Sequence, residues 1–422
     1  MELKNGYKQT DIGVIPEDWE VKSIDEVFDF HSTSNYSKAQ MNFDGDIGCL
    51  HYGLIHAIPN SSYDLQNGVK YFVTKQQAKY EFLKDGDIVM VDASEDLSGI
   101  NKSVEVSGVR DNLFIAGLHT FLLRDRGFYK KKFRGVILNS SIAKVQMLRF
   151  AVGMKVYGVS KPQLKAILLP LPPLKEQTAI AEALSDADVL IQSTEKLIAK
   201  KRMVKQAAMQ QLLSPKEGWQ VKRYGEIFDF LNTATYSRAQ LNTSESVGYI
   251  HYGDIHTKWD CFLDLSINEL PSISTQQASG YSFVKDGDVI MADASEDYSG
   301  IGKSVEVKNV KSKMVVAGLH TMLLRDKEQV FVDGYRGYIH ATSFVKSQFD
   351  RLATGMKVYG VSKNNLKTVQ ISIPEKEEQT RIATILSDMD AEITALEAKL
   401  QKYRHIKQGM MQNLLTGKIR LV

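Results

Sequence analysis

The apolar positions of two long segments follow a helical repeat. Residues 178–213 and 380–415 contain no Gly or Pro except Gly409. In the second segment the spacing alternates between steps of four and three, with Lys407 at the one polar position. This spacing predicts a coiled-coil seam of more than four heptads. The apolar seam positions are Ile382, Leu386, Met389, Ile393, Leu396, Leu400, Tyr403, Met410 and Leu414.

The first of these segments has a looser version of the same pattern. Its seam positions are Ile180, Leu184, Ala187, Ile191 and Ile198, and an adjacent stripe contains Leu190, Leu197 and Val204. Prolines lie just upstream of both segments, as is common where helices begin. Each helix would be roughly 50 Å long, which is long for a domain of this size. We therefore predict that the two helices pair with each other in antiparallel orientation. The alternative is a separate amphipathic helix packed on each domain.

The rest of the chain has a mixed pattern. Residues 24–157 and 224–359 are rich in aromatic side chains and contain short β-like runs, such as 87–91 and 315–324. Turn-forming Asp-Gly and Ser-Gly pairs interrupt these runs. This pattern predicts two globular α+β domains.

The two halves of the chain are copies of each other. His51-Tyr52-Gly53 returns 200 residues later, and GMKVYGVSK returns 202 residues later. Across 85–108 and 286–309, 17 of 24 paired positions are identical. We therefore predict an α+β protein with a pseudo-twofold internal repeat, in which two similar mixed α/β domains are separated by two long antiparallel coiled-coil helices. The expected boundaries are 1–157 (first domain with an N-terminal arm), 158–215 (first helical region), 216–359 (second domain) and 360–422 (second helical region).

Composition excludes several classes of protein. The 422 residues carry 53 Lys and Arg against 50 Asp and Glu, and 43% are hydrophobic, as in an ordinary folded protein. No apolar run reaches the ~20 residues of a membrane helix, so we expect a cytoplasmic protein without membrane contact. Cys49 and Cys261 match neither a disulfide framework nor a zinc site. A net charge of +3 does not by itself indicate nucleic acid.

Several segments resemble one known family. These are LPLPPLKEQTAIAEALSDAD (169–188), ISIPEKEEQTRIATILSDMD (371–390), the ending LLTGKIRLV, and the opening Ile-Gly-Val-Ile-Pro before Asp18-Trp19. Together with the duplication, they resemble the specificity subunit of type I restriction–modification systems over essentially the whole chain. One difference from the family stands out. Family members often carry an acidic residue after His-Tyr-Gly, and here Asp254 is acidic but Leu54 is not.

The resemblance implies a non-catalytic, sequence-specific DNA-binding subunit. Each recognition domain would read one half of a split site in double-stranded DNA. The helices would fix the spacer and dock two methyltransferase subunits, and motor–nuclease subunits would complete the restriction enzyme. S-adenosylmethionine, and Mg and ATP, would belong to those partners, with no cofactor in this chain. Because the two domains are close relatives, we predict similar half-sites arranged as inverted copies. The alternative is a stand-alone duplicated DNA-binding or scaffold protein.

Candidate DNA contacts follow from residue type. Lys or Arg can donate to guanine, Gln can pair with adenine, and Tyr or Ser can hold phosphate. For residues 36–40 and 236–240, the alternative is an ordinary solvated turn or helix start. Lys155 and Lys357 would clamp phosphate, or else lie in a hinge. The candidates are Tyr36, Ser37, Lys38, Gln40, Lys102, Lys155 and Tyr157, with Tyr236, Ser237, Arg238, Gln240, Lys303, Lys357 and Tyr359 in the second copy.

Two other hypotheses need testing. Asp-Ala-Ser-Glu-Asp at 92–96 and 293–297 could hold Mg²⁺ in a nuclease, and Glu306-Val307-Lys308 resembles a nuclease Glu-x-Lys. The first copy lacks that lysine, so we favour a polar loop after a buried strand, with no metal and no catalytic residues; a DNA-contacting loop is the alternative.

The second hypothesis concerns the basic run 196–205, which we interpret as a solvated helix face, with contact to phosphate or to a partner as the alternative. The residues expected at the subunit or helix interface are Ile180, Leu184, Ile191, Ile198, Ile382, Leu386, Met389, Ile393, Leu396 and Leu400.

Overall fold

The computed structural model describes residues 5–97, 99–100, 102–109, 113–151, 156–296, 300–355 and 359–421. The chain forms two compact units, one containing Met1–Lys196 and Ala398–Val422 and the other Leu197–Glu397. Within the described ranges, no helix combines the length and apolar character that crossing a membrane requires.

From the strand that begins at Glu20 onward, the strands of the first half recur in the same order in the second half. The first half contains β1 (Tyr7–Thr10), β2 (Gly13–Pro16), β3 (Glu20–Ser23), β4 (Phe28–His31), β5 (Ile47–Leu50), β6 (Ser62–Asp64), β7 (Tyr71–Val73), β8 (Ile88–Val91), β9 (Ala93–Ser94), β10 (Ser103–Ser107), β11 (Leu113–Ala116), β12 (Thr120–Asp125), β13 (Tyr157–Gly158) and β14 (Leu168–Leu171). The second half contains β15 (Gln220–Arg223), β16 (Phe228–Leu231), β17 (Val247–Ile250), β18 (Phe262–Asp264), β19 (Ser272–Ile273), β20 (Val289–Ala292), β21 (Ala294–Ser295), β22 (Ser304–Lys308), β23 (Val315–Ala317), β24 (Thr321–Asp326), β25 (Tyr359–Gly360) and β26 (Gln370–Ile373).

Helices are short inside each globular domain and long after it. They are α1 (Ile24–Val27), α2 (Tyr52–Ala57), α3 (Phe133–Leu138), α4 (Ser141–Phe150), α5 (Lys161–Lys165), α6 (Leu174–Leu212), α7 (Tyr224–Ile227), α8 (Tyr252–Thr257), α9 (Arg336–Ile339), α10 (Ser343–Leu352), α11 (Lys363–Leu366) and α12 (Lys376–Leu414). Single 3₁₀ turns span Lys38–Gln40, Leu65–Asn67 and Arg238–Gln240.

Both units contain the same two sheets. The first has a five-stranded sheet in the order β4-β12-β8-β10-β6 and a three-stranded sheet in the order β11-β5-β7. The second repeats them as β16-β24-β20-β22-β18 and β19-β17-β23. The predicted α+β class and the internal repeat are therefore confirmed.

The central strands explain why each globular domain folds. All four residues of β8 and all four of β20 are buried, as expected of short continuous apolar runs in the middle of a covered sheet. The predicted run 315–324 is in fact two strands, because His320 has a left-handed φ of 54°. The resulting turn sends β23 to the three-stranded sheet and β24 to the five-stranded sheet.

The two long helices pack together, as predicted. In the first unit Lys407 of α12 pairs with Asp188 of α6, and Arg404 Nη2 lies 2.7 Å from Glu195 Oε1. In the second unit Lys205 of α6 pairs with Asp390 of α12. In each unit the start of one helix meets the end of the other, so the helices run antiparallel. The seam is apolar otherwise, with Ile180, Leu184, Ile198, Ile382, Leu386, Ile393 and Leu400 buried and Ile191, Met389 and Leu396 half-buried.

The basic run of α6 has a role that the sequence did not suggest. In the second unit Lys201 Nζ lies 2.7 Å from Glu392 Oε1, and Arg202 Nη2 lies 2.5 Å from Glu397 Oε1. Together with Lys205, these side chains neutralise acidic residues of α12. The interpretation of a solvated helix face is therefore wrong for Lys205, whose side chain is 13% exposed, whereas Arg202 stays exposed and Lys201 partly so while they pair with α12.

The ion pairs of the seam should fix the register of the two helices, as buried polar groups do in coiled coils. We expect Lys407→Glu to destabilise the protein by about 2 kcal/mol, because it places two carboxylates at a largely buried position. Adding Asp188→Lys should restore most of that loss. Thermal unfolding of the single and double variants measures both effects. Lys402→Glu, on the exposed side of α12, is the control, and an equal loss there would argue against a specific pair.

Candidate nucleic-acid interface

Each His-Tyr-Gly motif begins a six-residue helix. His51 Nδ1 accepts a hydrogen bond from the Gly53 amide at 3.1 Å, and His251 Nδ1 accepts from Gly253 at 3.0 Å. Both rings are buried, and burial lowers the pKa of His51 to about 4. A neutral ring keeps Nδ1 free to accept a hydrogen bond. These histidines therefore cap α2 and α8 at their N-termini.

A cluster of aromatic rings lies beside each capped helix. The Tyr52 and His119 rings meet edge to face with centroids 5.7 Å apart, and His119 Nδ1 is 3.2 Å from Asp92 Oδ1. The second copy matches, with 5.5 Å between the Tyr252 and His320 rings. There His320 Nδ1 is 3.4 Å from Asp293 Oδ1. Residue type and spacing did not predict that these rings would meet.

The backbone is strained at both of these histidines. His119 has a φ of 57° and His320 a φ of 54°, in the left-handed region where a residue other than glycine costs about 1–3 kcal/mol. Both copies retain the same strained residue at the same turn. Such strain is concentrated at functional sites, so the repeated Ala-Gly-Leu-His-Thr motif was the signal that could have located this cluster.

Two segments that are distant in sequence meet as a small ribbon. Tyr157 pairs with Ser94 and Gly158 with Ala93 in antiparallel register, and β21 and β25 repeat the pairing in the second unit. The acidic segment that contains Ser94 and the segment that contains Tyr157 are thus the two strands of one small sheet. Lys155, Lys357 and Asp297 lie outside the described residues, so their predicted roles stay predictions.

The Tyr-Ser-Lys/Arg-Ala-Gln segments form 3₁₀ turns with a local cap. Gln40 Oε1 accepts from the backbone amide and the hydroxyl of Ser37, both at 3.0 Å. Gln240 makes the same pair of bonds with Ser237 at 2.9 Å. Because these bonds occupy the amide oxygen, neither Gln is set up here for the two-bond contact with adenine. Each segment is a helix start, one of the alternatives drawn from the sequence.

The other side chains of this segment divide into packed and exposed groups. Tyr36 packs edge to face on Tyr80, and the Tyr236 hydroxyl donates to the Gln277 carbonyl at 3.2 Å. Lys38 and Arg238 are exposed. Lys38 and Arg238 are therefore the exposed cations of these two segments, and their contact with a base stays a prediction.

Lys102 and Lys303 each hold the end of a helix. Lys102 Nζ donates to the His56 carbonyl at 2.8 Å, and Lys303 Nζ donates to the His256 carbonyl at 2.9 Å. Burial, with a smaller contribution from Lys144, lowers the pKa of Lys102. Each lysine thus has a structural bond in addition to any contact it makes with DNA.

Five of the side chains described above, Lys38, Tyr52, His56, Lys102 and His119, line one cavity in the first unit. Its volume is about 790 Å³, and its walls combine cations, aromatic rings and carboxylates. Cations of this kind bind phosphate, and polar side chains of this kind bind base edges. We define the polar face as these five side chains together with Asp92, which lies beside His119, and their counterparts in the second unit. In the first unit it consists of Lys38, Tyr52, His56, Asp92, Lys102 and His119, and in the second of Arg238, Tyr252, His256, Asp293, Lys303 and His320.

The residues of the nuclease hypothesis have other roles. Glu306 is fully buried and accepts from the Gly334 and Gly337 amides at 2.7 and 2.8 Å. Arg336 Nη1 lies 3.3 Å from Glu306 Oε1. Lys308 Nζ lies 3.5 Å from the centre of the Phe262 ring. Burial raises the pKa of Glu306. The Glu306 carboxylate thus satisfies backbone amides in the domain interior.

Glu105 repeats this arrangement in the first unit. It accepts from the Lys132 and Gly135 amides at 2.7 and 3.1 Å. Among the residues that the structure describes, no three His, Cys, Asp or Glu side chains are grouped in a way that could hold a metal ion.

Comparison with known proteins identifies the family. The model of the type I restriction modification DNA specificity domain matches twice, at residues 16–200 and 216–403. The chain therefore belongs to this family, whose members are non-catalytic DNA-recognition proteins that work with the other subunits of a restriction–modification system. The resemblance seen in the sequence is confirmed.

Individual relatives match over nearly the whole chain. The specificity subunit of the MjaVIII type I restriction enzyme from Methanocaldococcus jannaschii is 24% identical, over 96% of this chain and 94% of its own. A candidate MjaX specificity subunit from the same organism is 25% identical over 99% and 97%. The crystal structure of the S subunit from M. genitalium has the same fold, with a TM-score of 0.54, 14% identity and 98% coverage of both chains.

Proposed function

We propose that the chain reads a bipartite DNA sequence, with each polar face contacting one half-site. The observation that supports this most is the repetition of the polar face. The same capped helix, aromatic–histidine cluster and exposed basic side chain occur in both units of a DNA-specificity protein. Because the two faces are so alike, we propose that the half-sites are similar and arranged as inverted copies.

The partner side of the proposal rests on the long helices. We propose that they set the spacer and dock two methyltransferase subunits, with motor–nuclease subunits joining them in the cytoplasm. S-adenosylmethionine, Mg and ATP would act in those partners. Apolar side chains exposed on α6 support a docking role, since single-chain surfaces seldom expose so many close together. They are Val189 and Leu190 in the first unit, and Leu197, Met203 and Val204 in the second.

Single substitutions in the polar faces test the DNA-reading role. Lys38→Ala should reduce selectivity by about 1–3 kcal/mol at one base pair of one half-site, and Arg238→Ala should do so at one base pair of the other. Selection of the full-length protein on duplexes with randomised half-sites measures both effects. Lys131→Ala, an exposed lysine outside the polar face, is the control. Uniformly weaker binding without a change in any base preference would contradict the assignment.

A further inference from the structure

The two polar faces differ at the basic side chain that each exposes. In the second unit Arg238 Nη2 lies 2.7 Å from Asp254 Oδ1, and Lys258 Nζ lies 3.0 Å from the same oxygen. The Asp254 side chain is only 2% exposed, whereas half of Arg238 remains exposed. Burial alone would raise the pKa of Asp254, but the bonds from Arg238 and Lys258 outweigh it and lower the pKa. Asp254 is therefore an ionised anchor.

The first unit lacks this anchor. Leu54 and Ile58 occupy the positions of Asp254 and Lys258. Lys38 Nζ instead lies 5.7 Å from the centre of the Tyr52 ring, a weaker contact that leaves the ammonium group free to turn.

The two basic groups nevertheless occupy the same place. A β-carbon built on Gly53 would lie 3.6 Å from Lys38 Nζ, and one built on Gly253 would lie 4.0 Å from Arg238 Nη2. Both groups thus sit over the glycine of the His-Tyr-Gly motif. The two units therefore hold the basic group by different contacts but at the same position.

This difference has a chemical consequence. A guanidinium group is a planar fork that can donate two parallel hydrogen bonds to guanine O6 and N7. Because Arg238 Nη2 is held on Asp254, the remaining N–H groups of the guanidinium are directed outward. A lysine ammonium is a rotating point charge, so it distinguishes acceptors less strictly.

We propose that Asp254 is a positioning residue that makes Arg238 select guanine, and that Lys38, which has no such anchor, reads its base pair less strictly. This inference rests on the proposed function. It also refines that function, because two otherwise similar half-sites would then differ in stringency at one base pair.

Substitutions in the full-length chain test the proposal, again by selection on duplexes with two randomised half-sites. The wild type should prefer guanine at one position of one half-site by about tenfold or more, the range of a good two-bond contact. Asp254→Asn and Arg238→Lys should each reduce that preference to a few-fold and leave the other positions unchanged. A merely structural role for Asp254 would weaken all positions alike.

The reciprocal transplant gives the opposite expectation. The double variant Lys38→Arg with Leu54→Asp should gain a strict guanine preference at the equivalent position of the other half-site, and Lys38→Arg alone should gain less. Thermal unfolding shows which variants are folded. If the double variant does not fold, Asp254→Asn and Arg238→Lys decide the question.

The failures are distinguishable. A wild-type protein that selects no bipartite sequence would contradict the proposed function itself. A wild type that selects two half-sites, with the guanine preference unchanged in Asp254→Asn, would overturn only the role of Asp254. A full gain of preference from Lys38→Arg alone would overturn it as well, since no carboxylate would then be needed.

Discussion

Substituting Glu306 by alanine is expected to lower the free energy of unfolding of the second unit by about 3–5 kcal/mol, because it removes a buried carboxylate that two interior amides and Arg336 contact. The change would leave the Gly334 and Gly337 amides without their acceptor, while Arg336 would keep its contact with Asp333. Each amide that is left without an acceptor adds a desolvation penalty. Chemical denaturation followed by circular dichroism measures the loss.

The Glu306 prediction has a matched control. Glu269→Ala removes an exposed carboxylate from the same unit and should change stability by less than about 0.5 kcal/mol. If Glu306→Ala reduced stability as little as this control, the carboxylate would have no structural role. Glu306 would then again be a candidate residue for the nuclease hypothesis.

Arg420→Ala is expected to cost a similar amount, about 3–5 kcal/mol, in the first unit. Arg420 Nε lies 2.6 Å from Oε1 of Glu176, which is fully buried, and the guanidinium also binds Asp18. Glu176 Oε2 accepts from the indole of Trp19 at 2.8 Å. Removing Arg420 would leave a buried carboxylate with one neutral donor, so the packing of the C-terminal residues on the N-terminal arm should loosen.

Stability and tryptophan fluorescence together measure this second effect. Trp19 is fully buried, so its emission should shift to longer wavelength in Arg420→Ala at denaturant concentrations where the wild type is folded. Lys418→Ala, an exposed neighbour, should leave both observables unchanged. Equal behaviour of the two variants would contradict the role assigned to the Glu176–Arg420 pair.

The helices were largely predictable from the sequence, because their periodicity reflects a local rule that acts every three or four residues. The seam from Ile382 to Leu414 could be counted directly. The charges across it could not be assigned, since the pairing of Lys407 with Asp188 depends on an antiparallel register of residues more than 200 positions apart. The exposed stripe of Leu190, Leu197 and Val204 likewise needed coordinates, because periodicity alone does not tell which stripe faces the partner helix.

The candidate site was predictable only in part. Lys38 and Arg238 could be proposed from residue type. The ribbon of Tyr157 with Ser94 and the His119–Tyr52 cluster come from strand pairings between distant segments, which no local pattern specifies. Gln40 was a plausible base reader by type, but the Ser-x-x-Gln spacing of Ser37 and Gln40 also matches a local helix cap, which the structure forms. Residue chemistry thus suggested which groups could bind DNA, and the structure shows which of them already have partners within the chain.

Under the proposed function, this chain alone determines the split DNA sequence that is methylated. Sequencing modified adenines in a strain that carries the chain with its methyltransferase, and in the same strain with the chain deleted, tests it most directly. We predict one motif with two similar, inverted half-sites separated by a fixed gap, and its complete loss on deletion. A set of modified adenines that is unchanged by the deletion would contradict the claim.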